Sequence, residues 1–311
     1  MSESPDIMLT LGRCDEMRAE VYLSPSAPTP HGARLEGLLI GPYRRQDLTL
    51  PMEARLEPMT DLPGRGVVSR VVLTEPAFWS PESPNLYRAA IRLEAAGMSP
   101  TTVDTGVGLR RLGVRGRSFW LDGRRWVPRA AALRGGADVA WAAETGIVAT
   151  APGDDLLSRA DELGVAVVTL VESSELTGPR LAALSRHPAA LMVIVVDGGR
   201  PDSLGGVAGE IRRAKGTMQI GIAVDAGLPV PAVPEGFDFM AVRLAADRLP
   251  HESWRRLPEC PLVAWRHALA LEPPSARAAC TTLQRDLAAW AAAADGAHPV
   301  WDWAGYLVGT A

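Results

Sequence analysis

The pattern of apolar residues changes near Trp126, and this change constrains the fold of the 311-residue chain more than any other feature. Before it, short strand-like runs are separated by Pro and Gly, and several of them alternate apolar with polar residues. Strands at this spacing, with no convincing helix between them, are typical of an antiparallel β-sandwich. The predicted strands are Met17–Leu23, Ala33–Ile40, Leu48–Leu56, Val67–Leu73, Tyr87–Leu93 and Thr101–Leu109.

After Trp126, short apolar runs alternate with segments of helical pattern, which predicts parallel strands joined by crossover helices. The apolar runs are Val127–Leu133, Ile147–Ala151, Val165–Val171, Leu191–Val196, Met218–Val224, Phe237–Leu244, Leu262–Trp265 and Val300–Trp303. The predicted helices are Ala137–Glu144, Asp154–Leu163, Glu175–Ser185, Ser203–Lys215, Pro250–Leu257 and Ser275–Ala294. Eight such strands predict closure into a TIM-type (β/α)8 barrel.

Two features predict that this barrel is compact and reduced. The connection Asp225–Gly236 contains too many prolines for a regular helix. Only eight residues follow Trp303, which leaves no room for a normal eighth helix. We therefore predict a β-sandwich over residues 1–120 and a degenerate barrel over residues 121–311, shorter than the about 250 residues typical of this fold.

Composition excludes several classes of function. A net charge of −4 offers no basic face for nucleic acid. Cys14, Cys260 and Cys280 lie far apart without metal-ligand spacing, which predicts small buried thiols and neither a metal site nor a disulfide. No secretory leader and no apolar run of about 18 residues is visible, which favours the cytoplasm. Arg greatly outnumbers Lys, which indicates a GC-rich bacterial genome.

The junction Phe78–Ala130 carries a specific resemblance. It contains the run FWSPESPNLYRAAIRLEA, then Gly108-Leu109-Arg110, then the hairpin SFWLDGRRW. These resemble the W-S-P-E-x-P-x-L-Y, G-F-R and f-x-L-N-G-k elements of family 2 glycoside hydrolases, the β-galactosidase, β-glucuronidase and β-mannosidase group. Weaker similarities follow at Asp154–Glu172, at Arg186–Ala189 and at Pro299–Tyr306. The resemblance covers about residues 45–311 and implies an immunoglobulin-like sandwich followed by a TIM-type barrel.

The resemblance also implies that the family's chemistry has been lost. Retaining glycosidases need two carboxylates about 5–5.5 Å apart. Alignment to the family pattern after the fourth barrel strand puts Asp197 at the Asn position and Gly198 at the acid/base Glu position. After the seventh strand, Arg266 stands at the nucleophile position. Glycine carries no proton, and a guanidinium with a pKa above about 12 is no nucleophile.

Two alternatives stay open at this point. The first is a relocated or vestigial active site at the mouth of the barrel, the end where the strands terminate. Four carboxylates follow predicted strands there: Glu172, Asp197, Asp225 and Asp302. The favoured explanation of these carboxylates is that they are solvated loop acids or form salt bridges with Arg200, Arg243 and Arg266. A carbohydrate-binding protein that does not hydrolyse is the other, with tryptophans that stack on sugars; packing in the core explains most of them. His187 matches a family residue and is interpreted as a structural hydrogen bonder.

The leading hypothesis is a non-enzymatic accessory or scaffold subunit of a larger protein assembly, with no cofactor and no metal. One instance would be a protein held peripherally on the cytoplasmic face of a membrane complex, such as a bacterial photosynthetic complex; no residue specifies this partner. The segment Met8–Arg45 lies mostly outside the family resemblance. Its predicted partner contacts are Tyr22, Tyr43, Arg44 and Arg45, because Tyr and Arg are enriched at binding hot spots. An ordinary surface loop beside an edge strand is the alternative there.

Overall fold

The structure is a computed structural model. It describes residues 7–26, 28–30, 32–59, 66–97, 99–196, 211, 214–246, 248–255, 258–268, 271–293 and 303–309.

The first part of the chain is built from antiparallel strands. They are β1 (Ile7–Cys14), β2 (Arg18–Pro25), β3 (Arg34–Tyr43), β4 (Met52–Arg55), β5 (Glu57–Pro58), β6 (Ser69–Thr74), β7 (Trp79–Ser80), β8 (Ser83–Pro84), β9 (Leu86–Glu94) and β10 (Thr101–Val107). Two four-stranded sheets have the orders β1-β2-β6-β5 and β10-β9-β3-β4, while β7 and β8 pair separately. Alternate residues of both sheets point into one apolar core, as Val21, Leu39 and Ile91 do.

Two details of this part differ from the sequence prediction. The strand predicted over Leu48–Leu56 begins only at Met52, and Leu48 and Leu50 are fully exposed in the preceding loop. Pro51, which has no amide hydrogen, separates that loop from the ladder. Strand β1 was not predicted; it forms by pairing with β2, with an irregularity between Leu11 and Cys14.

The second part is a closed barrel of parallel strands. They are β14 (Arg129–Ala131), β15 (Gly146–Thr150), β16 (Val167–Val171), β17 (Ala190–Val195), β18 (Gln219–Asp225), β19 (Phe239–Leu244), β20 (Leu262–Arg266) and β21 (Gly305–Val308). The strands follow one another around the barrel, and β14 pairs with β21 to close it. Every residue of β17 is buried, because the strand is covered on both faces.

The described helices are α1 (Gly136–Ala142), α2 (Asp154–Leu163), α3 (Gly178–Ser185) and α4 (Pro273–Ala292), with short 3-10 turns at Ser173–Glu175 and Glu252–Arg255. No helix forms over Leu228–Pro234, as the prolines predicted. Of the helix predicted at Pro250–Leu257, the described residues form only the second 3-10 turn, and residues 256–257 lie outside them. The helix predicted over Ser203–Lys215 falls mostly outside the described residues.

The eighth barrel strand is another correction. It was predicted at Val300–Trp303, but β21 is Gly305–Val308, and residues 294–302 lie outside the described residues. β21 pairs with β20 on one side and with β14 on the other. The position of β21 is fixed because it must pair in register with both β14 and β20, which lie far away in the sequence. A local run of apolar residues does not contain this information.

A three-stranded sheet joins the two parts. It consists of β11 (Leu112–Arg115), β12 (Ser118–Leu121) and β13 (Arg124–Trp126). Phe119 of β12 is fully buried in the barrel core, and its ring meets that of Phe239 edge to face at 5.4 Å. Because Phe239 begins β19, this sheet covers the amino-terminal end of the barrel. The predicted boundary between residues 120 and 121 stays a prediction.

Candidate functional site

Arg266 lies at the carboxyl end of β20, where the sequence alignment places the family nucleophile. Its Nη1 donates to Oδ2 of Asp286 on α4 at 2.8 Å, and only 17% of its side chain is exposed. The guanidinium is therefore directed toward the outer helix and not into the mouth of the barrel. Its buried Nε has no hydrogen-bond partner within the described residues. A cation held in this ion pair cannot perform nucleophilic attack on a sugar.

Two of the carboxylates proposed for a relocated site are described. Glu172 directly follows β16, and Asp225 ends β18; both are exposed. Oδ1 of Asp225 accepts a hydrogen bond from the amide of Gly227 at 2.8 Å, which fixes a local turn. Strand β17 lies between their strands, so their backbones are about 10 Å apart.

The other three predicted mouth residues cannot be placed. Asp197, Gly198 and Asp302 lie outside the described residues. The substitution of the family acid/base by Gly198 therefore stays a prediction from the sequence.

His187 belongs to a buried network at the opposite, amino-terminal end of the barrel. Its Nδ1 lies 2.7 Å from Oδ2 of Asp161 on α2, and Oδ1 of Asp161 accepts from the amide of Ala189 at 2.8 Å. Burial raises the pKa of Asp161, although the hydrogen bond and charge of His187, the Ala189 amide and Arg110 oppose this. These partners satisfy both carboxylate oxygens, so the interpretation of His187 as a structural hydrogen bonder is confirmed.

Arg110 completes that network. Its Nη1 donates to the carbonyls of His187, Pro188 and Ala190 at 3.1, 2.8 and 2.7 Å, and its Nε donates to Oγ1 of Thr217. Burial lowers the pKa of Arg110 to about 10, and the charge of Asp161 opposes this shift in part. The residue that the family motif places at the end of the sandwich thus holds the backbone that leads into β17.

The predicted partner contacts do not form one surface. Tyr22 lies on β2, in the other sheet from Tyr43, and its hydroxyl donates to Oε2 of Glu20 at 3.3 Å. Nε of Arg44 donates to the buried Asn85 at 2.6 Å. Nη1 of Arg45 pairs with Glu162 of α2 at 3.2 Å. Both arginines therefore have partners inside the chain, and of the four residues only Tyr43 and Arg45 are exposed.

Sequence reasoning missed the exposed apolar side chains beside Tyr43. Leu48 and Leu50 lie on the loop between β3 and β4, and both are fully exposed. Pro51 could have indicated this exposure, because a proline inside an apparent strand predicts that the strand is interrupted there. Tyr43, at the end of β3, is also exposed, so three large apolar side chains close together in the sequence face solvent.

The tryptophans fall into a buried group and a more exposed group. Trp254, Trp265, Trp290 and Trp303 are buried in the barrel core. Trp141 on α1 is half-exposed, and Trp126 is partly buried. Among the described residues, no three His, Cys, Asp or Glu side chains come close enough together to hold a metal ion. Within the same residues, no helix is long and apolar enough to cross a membrane.

The described parts define a protein in which a multi-sheet β module carries a closed barrel of parallel strands. Residues 52–110 match the model of the family described as Glycosyl hydrolases family 2. The predicted resemblance to that family is therefore confirmed. No curated protein matches the chain.

Three solved structures show the same fold over nearly the whole chain. A putative β-galactosidase from Bacteroides fragilis is 15% identical, with 98% of this chain and 54% of that chain covered and a TM-score of 0.63. A β-D-glucuronidase from Dictyoglomus thermophilum is 14% identical, with coverages of 98% and 61% and a TM-score of 0.66. A family 2 member from Bacteroides cellulosilyticus is 15% identical, with coverages of 99% and 45% and a TM-score of 0.64. The chain spans about half the length of these proteins.

Proposed function

We propose that this chain is a non-enzymatic relative of family 2 glycoside hydrolases that binds another protein as an accessory or scaffold subunit. In this proposal the β module is an immunoglobulin-like sandwich and the barrel is a reduced TIM-type barrel. The observation that carries the proposal is the ion pair between Arg266 and Asp286, because the sequence alignment puts Arg266 where the family has its nucleophile.

The requirement for two carboxylates supports the loss of hydrolysis. Arg266 cannot replace a nucleophilic Glu, and the sequence offers Gly198 at the acid/base position. A replacement mechanism would have to use other carboxylates at the mouth of the barrel, such as Glu172 and Asp225.

The loop between β3 and β4 is the surface that we propose for the partner. Tyr43, Leu48 and Leu50 are exposed there without apolar neighbours that cover them. Burying one leucine side chain contributes about 1.5–3 kcal/mol, so burial of these two leucines in an apolar groove of another protein would contribute to binding.

Hydrolysis of aryl β-galactosides, β-glucuronides, β-mannosides and β-glucosides by the purified full chain tests the first half of the proposal. We expect no turnover above that of buffer. The Glu172→Gln and Asp225→Asn variants serve as controls for contaminating activity. Saturable hydrolysis that disappears in either variant would contradict the proposal and establish a relocated site.

Co-purification from the source cells at fixed stoichiometry tests the second half. Replacement of Leu48 and Leu50 together by Ser should weaken association at least about tenfold, because two buried apolar side chains are lost. The matched control replaces Leu228 and Leu249, which are also exposed but lie in barrel loops, and it should leave association unchanged. Absence of any stoichiometric partner, or equal loss in both double variants, would contradict the accessory role.

A further inference from the structure

A cavity of about 630 Å³ lies at the amino-terminal end of the barrel, opposite the mouth where the family's chemistry takes place. Its wall contains the turn between β7 and β8, strand β13, the start of β14 and the facing ends of α1 and α4. Small-molecule sites have volumes of about 300–1,000 Å³ and often lie between structural units. The size and position of this cavity therefore suit a small ligand held between the β module and the barrel.

Three guanidinium groups line the cavity, those of Arg125, Arg129 and Arg277. Nη2 of Arg129 donates to the neutral amide oxygen of Gln284 at 2.6 Å, and Nη1 of Arg277 donates to the carbonyl of Glu144 at 2.8 Å. No carboxylate within the described ranges pairs with Arg129 or Arg277, and Nε of Arg129 is buried without a hydrogen-bond partner there. Two cations of the wall thus lack a compensating anion.

Arg129 and Arg277 both line this cavity. Each is also near enough to the Cys280 thiol for its charge to act there: burial raises the pKa of the thiol to about 11, and the charges of Arg129 and Arg277 oppose this shift. Two carboxylates, those of Glu82 and Glu144, also line the cavity; both residues are exposed, as Arg125 and Arg277 are. The wall consequently has a net charge of +1.

Aromatic side chains flank these charges. Trp141, the penultimate residue of α1, lines the cavity and leaves 51% of its surface exposed. Trp126 lines it as well and is only partly buried, with its ring edge to face on Phe119 at 6.4 Å. An exposed indole beside unpaired guanidiniums provides a flat apolar surface next to donors suited to an oxyanion.

We propose that this cavity binds a small organic anion, in which a carboxylate or phosphate pairs with Arg129 and Arg277 and a ring stacks on Trp141. The site is separate from the mouth of the barrel, so the inference does not depend on whether the chain hydrolyses glycosides. The oxyanion would accept charge-assisted hydrogen bonds, and the ring would cover the exposed indole.

Calorimetric titration of the full chain tests this inference with AMP, adenosine, glucuronate and inorganic phosphate. AMP and adenosine share the ring and differ in the anion, whereas phosphate lacks the ring. We expect AMP or glucuronate to bind, and adenosine and phosphate to bind at least about tenfold more weakly, since a charge-assisted hydrogen bond is worth about 1.5–3 kcal/mol.

Three variants separate a binding site from a solvated crevice. Arg277→Gln should weaken binding about tenfold, and Glu82→Gln should strengthen it about twofold by removing a rim carboxylate. Arg285→Gln is the matched control, because Arg285 lies on the same helix outside the cavity, and it should leave affinity unchanged. Each variant is also checked for unchanged thermal stability without ligand.

Four outcomes would overturn the inference. They are equal affinity for adenosine and AMP, equal affinity for phosphate and AMP, no binding of any probe at millimolar concentration, and equal loss of affinity in Arg277→Gln and Arg285→Gln.

Discussion

Cys280 shows how the environment of one residue determines its chemistry. The thiol is fully buried, and its Sγ lies 3.6 Å from the carbonyl oxygens of Ala130 and Tyr306. Burial raises its pKa from 9.0 to about 11. All three cysteines are free, but Cys14 and Cys260 are only partly buried. The prediction of small buried thiols is thus correct for Cys280 alone.

The raised pKa of Cys280 predicts how stability depends on pH. The Cys280 thiol stays neutral in the folded chain at pH values where the same thiol ionises in the unfolded chain. Its contribution to the free energy of unfolding is therefore complete below pH 9 and is lost as the pH rises toward 11. A shift of this size corresponds to about 1–3 kcal/mol. Urea unfolding at several pH values between these limits should show a smaller decrease in the free energy of unfolding for Cys280→Ala than for the wild type.

Cys14→Ala provides the control, because it leaves Cys280 in place and should reproduce the wild-type decrease. If the Cys280→Ala variant loses as much stability as the wild type over this pH range, the thiol does not titrate as its burial implies.

At the level of elements, α2 has the bounds that the sequence predicted, Asp154–Leu163. Asp154 and Asp155 lie in its first turn, where their negative charges interact favourably with the helix dipole. Gly164, in the left-handed conformation with φ of 75°, ends the helix. A Cβ at Gly164 would also overlap the backbone carbonyl of Pro81 in the β module. This glycine therefore serves both the end of the helix and the close contact between the two parts of the chain.

Gly164→Ala and Gly123→Ala separate these two roles. Both glycines have φ of 75°, but a Cβ at Gly123 would meet nothing within 4 Å. Gly123→Ala should cost about 1–2 kcal/mol of unfolding free energy from backbone strain alone. Gly164→Ala should lower the free energy of unfolding by about 1–3 kcal/mol more than Gly123→Ala does, because the new methyl group also clashes with the backbone of Pro81. Equal losses in urea unfolding would show that Pro81 moves aside without cost.

At the level of the whole molecule, a polar network fastens the β module to the barrel. Nε1 of Trp79 donates to the carbonyl of Asp161 at 2.9 Å, and Arg110 donates to three carbonyls that precede or begin β17. A Cβ at Gly108 would overlap the ring of Pro188, so the two backbones approach closely there. The junction is buried and its polar groups are paired by hydrogen bonds, so this part of the motif stabilises the contact between the β module and the barrel.

Arg110→Lys tests the strength of this junction. A lysine keeps the charge but cannot reach the Thr217 hydroxyl and three carbonyls together, so buried acceptors lose their donor. We expect the free energy of unfolding to fall by about 2–4 kcal/mol in urea denaturation. The exposed Arg88, paired with Asp104 on the sheet surface, provides the control, and Arg88→Lys should cause no measurable change. A similar loss in both variants would contradict a special role for the junction.

Much of the fold could be predicted because period and composition are local properties. Alternation marked most strands of the β module, continuous apolar runs marked seven of the eight barrel strands, and prolines excluded a helix over Leu228–Pro234. The motif around Trp79 and Arg110 predicted the family resemblance from residues close together in the chain.

The sequence by itself therefore determined most of the segments that become strands and helices, because burial of one face leaves a periodic pattern in neighbouring residues. Only the tertiary structure decided which segment closes the barrel at Gly305–Val308, that Leu48 and Leu50 stay exposed, and that Arg266 turns toward Asp286. It also placed Arg129, Arg277 and Trp141 around one cavity. These features depend on contacts between residues far apart in the chain, and no local pattern records which distant residue a side chain will meet.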